Sequence, residues 1–244
     1  MLAKMDMTYA LPSAYEAEVV RILTALGAAE GVGPTELTGF WPRVGHAYAR
    51  RLLVIGRAVN GWIDQVTVDE LGRPGGPERF AAVMRSTAER PDGCAMVWVT
   101  DAWGRPGGYS TARSAFWRMT RRVLAHVDPE SVDDALWSGR LAWSNLMKVA
   151  PWAGGNPGGA TLAVQRELGP GLLAREIEAF RPEVVLVLTG RWWFEPFAIG
   201  LGLDVDWRDG LLEGVADDGA RRWLIAPHPQ GKPRALFDEV VADL

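Results

Sequence analysis

LLVIGRAVNGW, Leu52 to Trp62, decides the reading of the fold: a strand-like apolar run that stops at a glycine and continues as a polar tail. Three later stretches have the same form. They are LAWSNLMKVAP (Leu141 to Pro151), VVLVLTGRWW (Val184 to Trp193) and WLIAPHPQGK (Trp223 to Lys232). In an open parallel sheet the ligand lies beyond the carboxyl ends of the strands. If the four runs are parallel neighbours, Asn60, Asn145, Arg191 and His228 meet in one crevice, whatever their separation along the chain.

Helical patterns surround these runs. Val19, Ile22, Leu23 and Leu26 have helical spacing within 13–29, with Ser13 as a candidate cap and Gly31 just past the end. Residues 34–51 read as irregular. A helix is expected over 77–89, with proline in its first turn. CAMVWVT (Cys94 to Thr100) fits a strand or a helix equally. Residues 111–127 form a firmer helix, with Phe116, Thr120, Val123, Leu124 and Val127 inward, and a short helix starts at Asp128-Pro129. Leu172 to Phe180 is helical and stops before Pro182, and 233–244 is a last helix. Strands alternating with helices imply βαβ units. No repeat or linker divides the chain, so 1–244 reads as one domain with a helical insertion at about 64–138.

The bulk composition sets limits. With 244 residues, 48% hydrophobic and 23% charged, the chain can bury a full core. One cysteine, Cys94, excludes a disulfide framework and a four-cysteine iron–sulfur cluster. The three histidines are widely spaced, so no metal site is expected. No run reaches the roughly 20 apolar residues of a membrane span, and no signal peptide is read at the start. A cytoplasmic monomer without cofactor is the expectation. The net charge of −4 argues against a nucleic-acid partner only in bulk, because a local basic face suffices. Residues 105–122 carry five arginines and no acid.

In order and character the four tails resemble the signature segments of the uracil-DNA glycosylase superfamily. GRAVNGW resembles the glycine-led first motif, WSNLMKVAP the segment whose asparagine reads a flipped base, VLTGRWW the third strand and its loop, and APHPQGKP the last His-Pro loop. The resemblance implies a three-layer α/β/α fold with a central parallel sheet of about four strands. It implies a monofunctional DNA glycosylase that flips a base out of the duplex and hydrolyses its bond to the sugar.

That transition state has a cationic sugar and an anionic departing base, so the site needs hydrogen-bond donors at the base and a way to place water. The resemblance makes His228 the donor and Asn145 the base reader, since an amide offers both donor and acceptor. A turn histidine and a strand-end asparagine are their plainer readings. Gly56, Arg57, Ala58, Trp62, Arg191 and Trp192 are the other candidate substrate contacts. Lys148, Gln230, Lys232, Arg118 and Arg121 are candidates for DNA contact.

Two departures matter. Many family members carry Asp or Asn where this chain has Ala58, to position water. Asn60 and Asp64 are the nearest polar alternatives, although a carboxylate in the first turn of a helix needs no catalytic reason. Asn60 also stands where uracil-specific members have an aromatic gate against carbon five of the base. A smaller residue leaves room for a substituent, such as hydroxymethyl or glucosylated hydroxymethyl on a cytosine; if the substrate is phage DNA, the role would be defence, and repair stays open beside it. Uracil excision, an inactive nucleic-acid- or protein-binding relative, and a nucleotide-processing enzyme remain as alternatives.

Overall fold

The computed structural model describes residues 11–33, 35–59, 63, 65–89 and 94–244. In chain order the first elements are α1 (Ser13–Ala28), β1 (Glu36–Gly39), β2 (Arg43–Val44), β3 (Leu52–Gly56) and β4 (Val66–Thr67). Then come α2 (Val68–Leu71), α3 (Gly76–Ser86), α4 (Val97–Asp101) and α5 (Ala115–Val127). The second half holds β5 (Ala142–Asn145), β6 (Val149–Pro151), α6 (Gly159–Phe180), β7 (Val184–Leu188) and α7 (Arg191–Leu201). It closes with β8 (Asp206–Trp207), β9 (Gly214–Asp217), β10 (Arg222–Ala226) and α8 (Ala235–Ala242).

The four apolar runs are neighbouring parallel strands. Their order is β5-β3-β7-β10, with Gly56 opposite Asn145, Ile55 opposite Val187, and Ala226 opposite Leu188. Their carboxyl ends therefore share one edge. The sheet is larger and more mixed than four parallel strands. Antiparallel β2 extends it beside β5, and antiparallel β9 and β8 extend it beyond β10, giving seven strands among the described residues.

Side chains alternate across these strands, and both faces are covered. Leu52, Val54, Leu186, Leu188, Leu224 and Ala226 pack with Phe116, Val123 and Leu124 of α5 and with Leu236 and Val240 of α8. Leu53, Ile55, Val185, Val187 and Ile225 face the other way, toward Leu173, Ile177 and Phe180 of α6 and Phe194 and Phe197 of α7. Burial on both sides is why β3 and β7 are apolar at every position. The result is a mixed α/β protein whose sheet contains parallel pairs.

Several local expectations are corrected. Residues 35–51 are not irregular throughout: β1 and β2 are strands, and β1 pairs with β4 and β6 in a second, three-stranded antiparallel sheet under α1 and α3. Pro12, not Ser13, precedes the first helical turn, and Glu16 pairs with Arg85 at 2.7 Å. The apolar run after Cys94 resolves as helix from Val97. The helix expected from Leu172 begins at Gly159 and passes through Pro170. Proline removes one helical hydrogen bond, but the break in sequence is a packing contact here. A β-carbon on Gly169 would meet the Phe197 ring at 2.8 Å, and one on Gly200 would meet Pro170 at 2.6 Å, so α6 and α7 cross where only small atoms fit.

Candidate functional site

Numbered as runs, the parallel strands stand in the order two, one, three, four. The order reverses between β3 and β7, and an open α/β sheet offers its binding crevice at such a switch point. A groove of about 550 Å³ opens there, lined among others by Arg57, Gly190, Trp193, Glu213, Pro227 and His228. Arg57 bridges the reversal by donating from Nε to the Thr189 carbonyl at 2.9 Å.

His228 follows β10 and is partly buried. The backbone N–H of Gln230 donates to its Nδ1 at 3.3 Å. With Nδ1 accepting, a neutral ring carries its proton on Nε2. Burial, and then the nearby Arg57 guanidinium, hold His228 below the ordinary histidine range. The ring is thus a neutral donor near pH 7. It lies nearly parallel to Phe116, 6.2 Å between centroids. Burial lowers the Arg57 guanidinium too, opposed by the Glu213 carboxylate.

Asn145 ends β5 and is 2% exposed. Its Nδ2 has no hydrogen-bond partner among the described residues. A buried amide donor left unpaired costs roughly 1–3 kcal/mol, so the site holds a polar group in reserve. Its Oδ1 lies against Gly56. Asn145 shares the sheet edge with His228 but does not line the switch-point groove, and Phe116 stands between the two.

Lys148 is corrected outright. It is 2% exposed, and its Nζ meets Glu176 Oε1 and Ser144 Oγ, each at 2.7 Å, and the Asn145 carbonyl. Tyr15 donates to Glu176 Oε1 at 2.7 Å and Ser144 to Oε2 at 2.6 Å. A lysine so enclosed cannot reach a DNA phosphate; it anchors the strand end that carries Asn145. Burial lowers its pKa and the Glu176 carboxylate opposes that.

The third tail begins α7. Arg191 donates to Glu195 at 3.0 Å and lies over the Trp207 ring at 4.9 Å. Trp192 is 59% exposed and held from behind by Arg166, 3.9 Å from its ring. Ala58 packs against the apolar cluster under α6 and α7. Asn60, Trp62 and Asp64 lie outside the described residues.

A second, basic groove runs between α5 and α8, lined by Trp103, Arg118, Arg121, Arg122, Lys232 and Arg234 among others. Lys232 also lines the switch-point groove, so the two adjoin. Arg122 is paired with Asp238. Arg121 lies 4.9 Å over Trp103, and Arg118 donates to the Arg113 carbonyl at 3.0 Å. Gln230 is exposed beside Lys232.

Sequence reasoning missed Phe116 as a neighbour of His228, and it missed Glu213 altogether. Phe116 read as helix core, which it also is. Glu213 precedes antiparallel β9 and belongs to none of the four tails. Among the described residues no His, Cys, Asp or Glu side chains group to hold a metal, and no helix is long and apolar enough to cross a membrane. No protein-family model matches the chain, and no curated protein matches it in sequence.

Proposed function

We propose that the protein is a monofunctional DNA glycosylase on a uracil-DNA-glycosylase-like three-layer fold, excising a pyrimidine modified at carbon five. The observation that carries the reading is His228: a neutral imidazole with its proton on Nε2, beside Arg57, at the switch point of a parallel sheet. A departing base needs a fixed donor where its charge develops, and the Nε2–H of the neutral ring can be that donor. The unpartnered amide of Asn145 supports its role as base reader, which would require Phe116 to move aside for the base to reach both it and His228. The adjoining basic groove supports phosphate contact by Arg118, Arg121, Lys232 and Arg234.

Preference for a substituted cytosine rests on sequence, namely Asn60 in place of an aromatic gate and Ala58 in place of a carboxylate. The experiment is direct. DNAs carrying uracil, hydroxymethylcytosine or glucosylated hydroxymethylcytosine are incubated with the protein, and abasic sites are revealed by alkali cleavage. Cleavage at a modified cytosine is the expected result. Release of uracil alone would refute the gate argument, and no cleavage of any DNA would refute the glycosylase reading.

A further inference from the structure

Ala58 cannot position water as the Asp or Asn of many members of the resembled family does, so a water-activating group would have to come from elsewhere in the site. We propose that Glu213 is the catalytic carboxylate of this site, accepting the proton of the attacking water and facing the cationic sugar. The inference rests on the glycosylase reading.

The placement of Glu213 is rigid. Its backbone N–H donates to the Ile225 carbonyl of β10, and its carbonyl accepts from Arg208 beside β8, both at 2.9 Å. It is therefore clamped between two strands at the sheet edge. Its carboxylate reaches across to the switch point. A β-carbon on Gly190 would lie 3.3 Å from Oε2 and 3.7 Å from the Cα of Pro227, the residue before His228. Gly190, with φ at +87°, puts no β-carbon between that carboxylate and the His-Pro loop, and both line the same groove. Oε2 accepts the Arg191 N–H at the start of α7, where a negative charge is favoured. Oε1 lies 3.9 Å from that same β-carbon position and takes no hydrogen bond from the described residues.

The groove thus carries both signs. Arg57 and the His228 donor suit an anionic base, and Glu213 suits a cationic sugar. In the step, water oxygen bonds to the anomeric carbon as Glu213 takes its proton. The carbon–nitrogen bond breaks, and its electron pair leaves on the base, held by His228 and Arg57. The base then takes up the proton from Glu213, leaving a hydroxyl on the sugar and restoring the carboxylate. No further reactant is needed.

The test separates chemistry from capping. Glu213→Gln keeps an oxygen for the Arg191 N–H but cannot take a proton. Its single-turnover excision rate is expected to fall on the order of 10²-fold or more, as loss of a positioned general base does. DNA affinity should stay within about threefold, since the carboxylate acts on the transition state. Glu213→Asp, which keeps the charge, should fall between wild type and Glu213→Gln. Glu178→Gln, an exposed carboxylate of α6 outside the groove, should keep its rate. An active wild type with a Glu213→Gln variant equally fast would overturn this inference and leave the glycosylase reading intact. So would an Asp variant slower than Gln, or an equal loss in Glu178→Gln. A wild type inactive on all three DNAs would overturn both.

Discussion

Asn145 stands over Gly56 so closely that a β-carbon on that glycine would lie 2.4 Å from the amide oxygen. The two residues are register partners at the last rung of the parallel pair β3–β5. The Phe116 ring closes the same space at 3.4 Å. Glycine at 56 is thus demanded by the asparagine next door, not by its own backbone.

Gly56→Ala should therefore displace the Asn145 amide and cost about 1–3 kcal/mol, as overpacking does. In the Asn145→Ala background the same change should cost much less. A double-mutant cycle by urea denaturation checks the coupling; additive costs would show that the two side chains do not compete.

Lys148→Met leaves Glu176 buried, at 0% exposure, without its counter-charge. Breaking a buried pair on one side costs about 3–5 kcal/mol, and replacing both members by apolar residues recovers much of it. Lys148→Met with Glu176→Leu should therefore be more stable than Lys148→Met alone. If Lys148 instead served DNA at the surface, Lys148→Met would weaken DNA binding and leave the urea midpoint unchanged.

The lowered pKa of His228 has a definite sign in stability. Below the unfolded value of 6.5 the unfolded chain takes up a proton that the folded ring resists. The unfolded state then binds more protons, so stability falls as pH drops through 6.5 and levels off below the folded pKa. His228→Asn should lack this component. Melting curves of both proteins between about pH 7.5 and about pH 5, spanning the histidine range, give the comparison, and ring chemical shifts give the folded pKa directly. A ring that titrates above 6.5 would contradict the neutral-donor assignment.

Arg118→Ser and Arg121→Ser should weaken DNA binding similarly for all sequences. Each phosphate partner removed should flatten the plot of log affinity against log salt by about 0.7 to 0.9. Fluorescence anisotropy between about 50 and 200 mM salt, the range over which such ionic binding is sensitive, measures the slope. An unchanged slope in both variants would remove the basic groove from the DNA path.

The four parallel strands were legible in the sequence because their signals are local: continuous apolar runs cut off by Gly56, Asn145, Thr189-Gly190 and Pro227. Their shared edge followed from the rule for parallel sheets, so Arg191 and His228 in one groove needed only the strand directions, whereas Asn145, expected with them, ends its strand outside that groove. The antiparallel strands β1, β2, β8 and β9 are two to four residues long, too short for a periodic signal. The first half of α6 was hidden by Gly169-Pro170, whose reason is the crossing of α7.

At the site, sequence alone determined which polar residues follow which strands. Tertiary structure decided what each can do. Lys148 looked like a surface cation until Glu176, on the inward face of a distant helix, enclosed it. His228 was a histidine in a turn until the Gln230 N–H set its proton on Nε2, and burial together with Arg57 held it neutral. Glu213 had no motif, because its approach to the switch point depends on antiparallel pairing with β10 and on the bare Cα of Gly190. Burial, tautomer and charge proximity are set by groups far apart in the chain, and these quantities turn a set of side chains into a site.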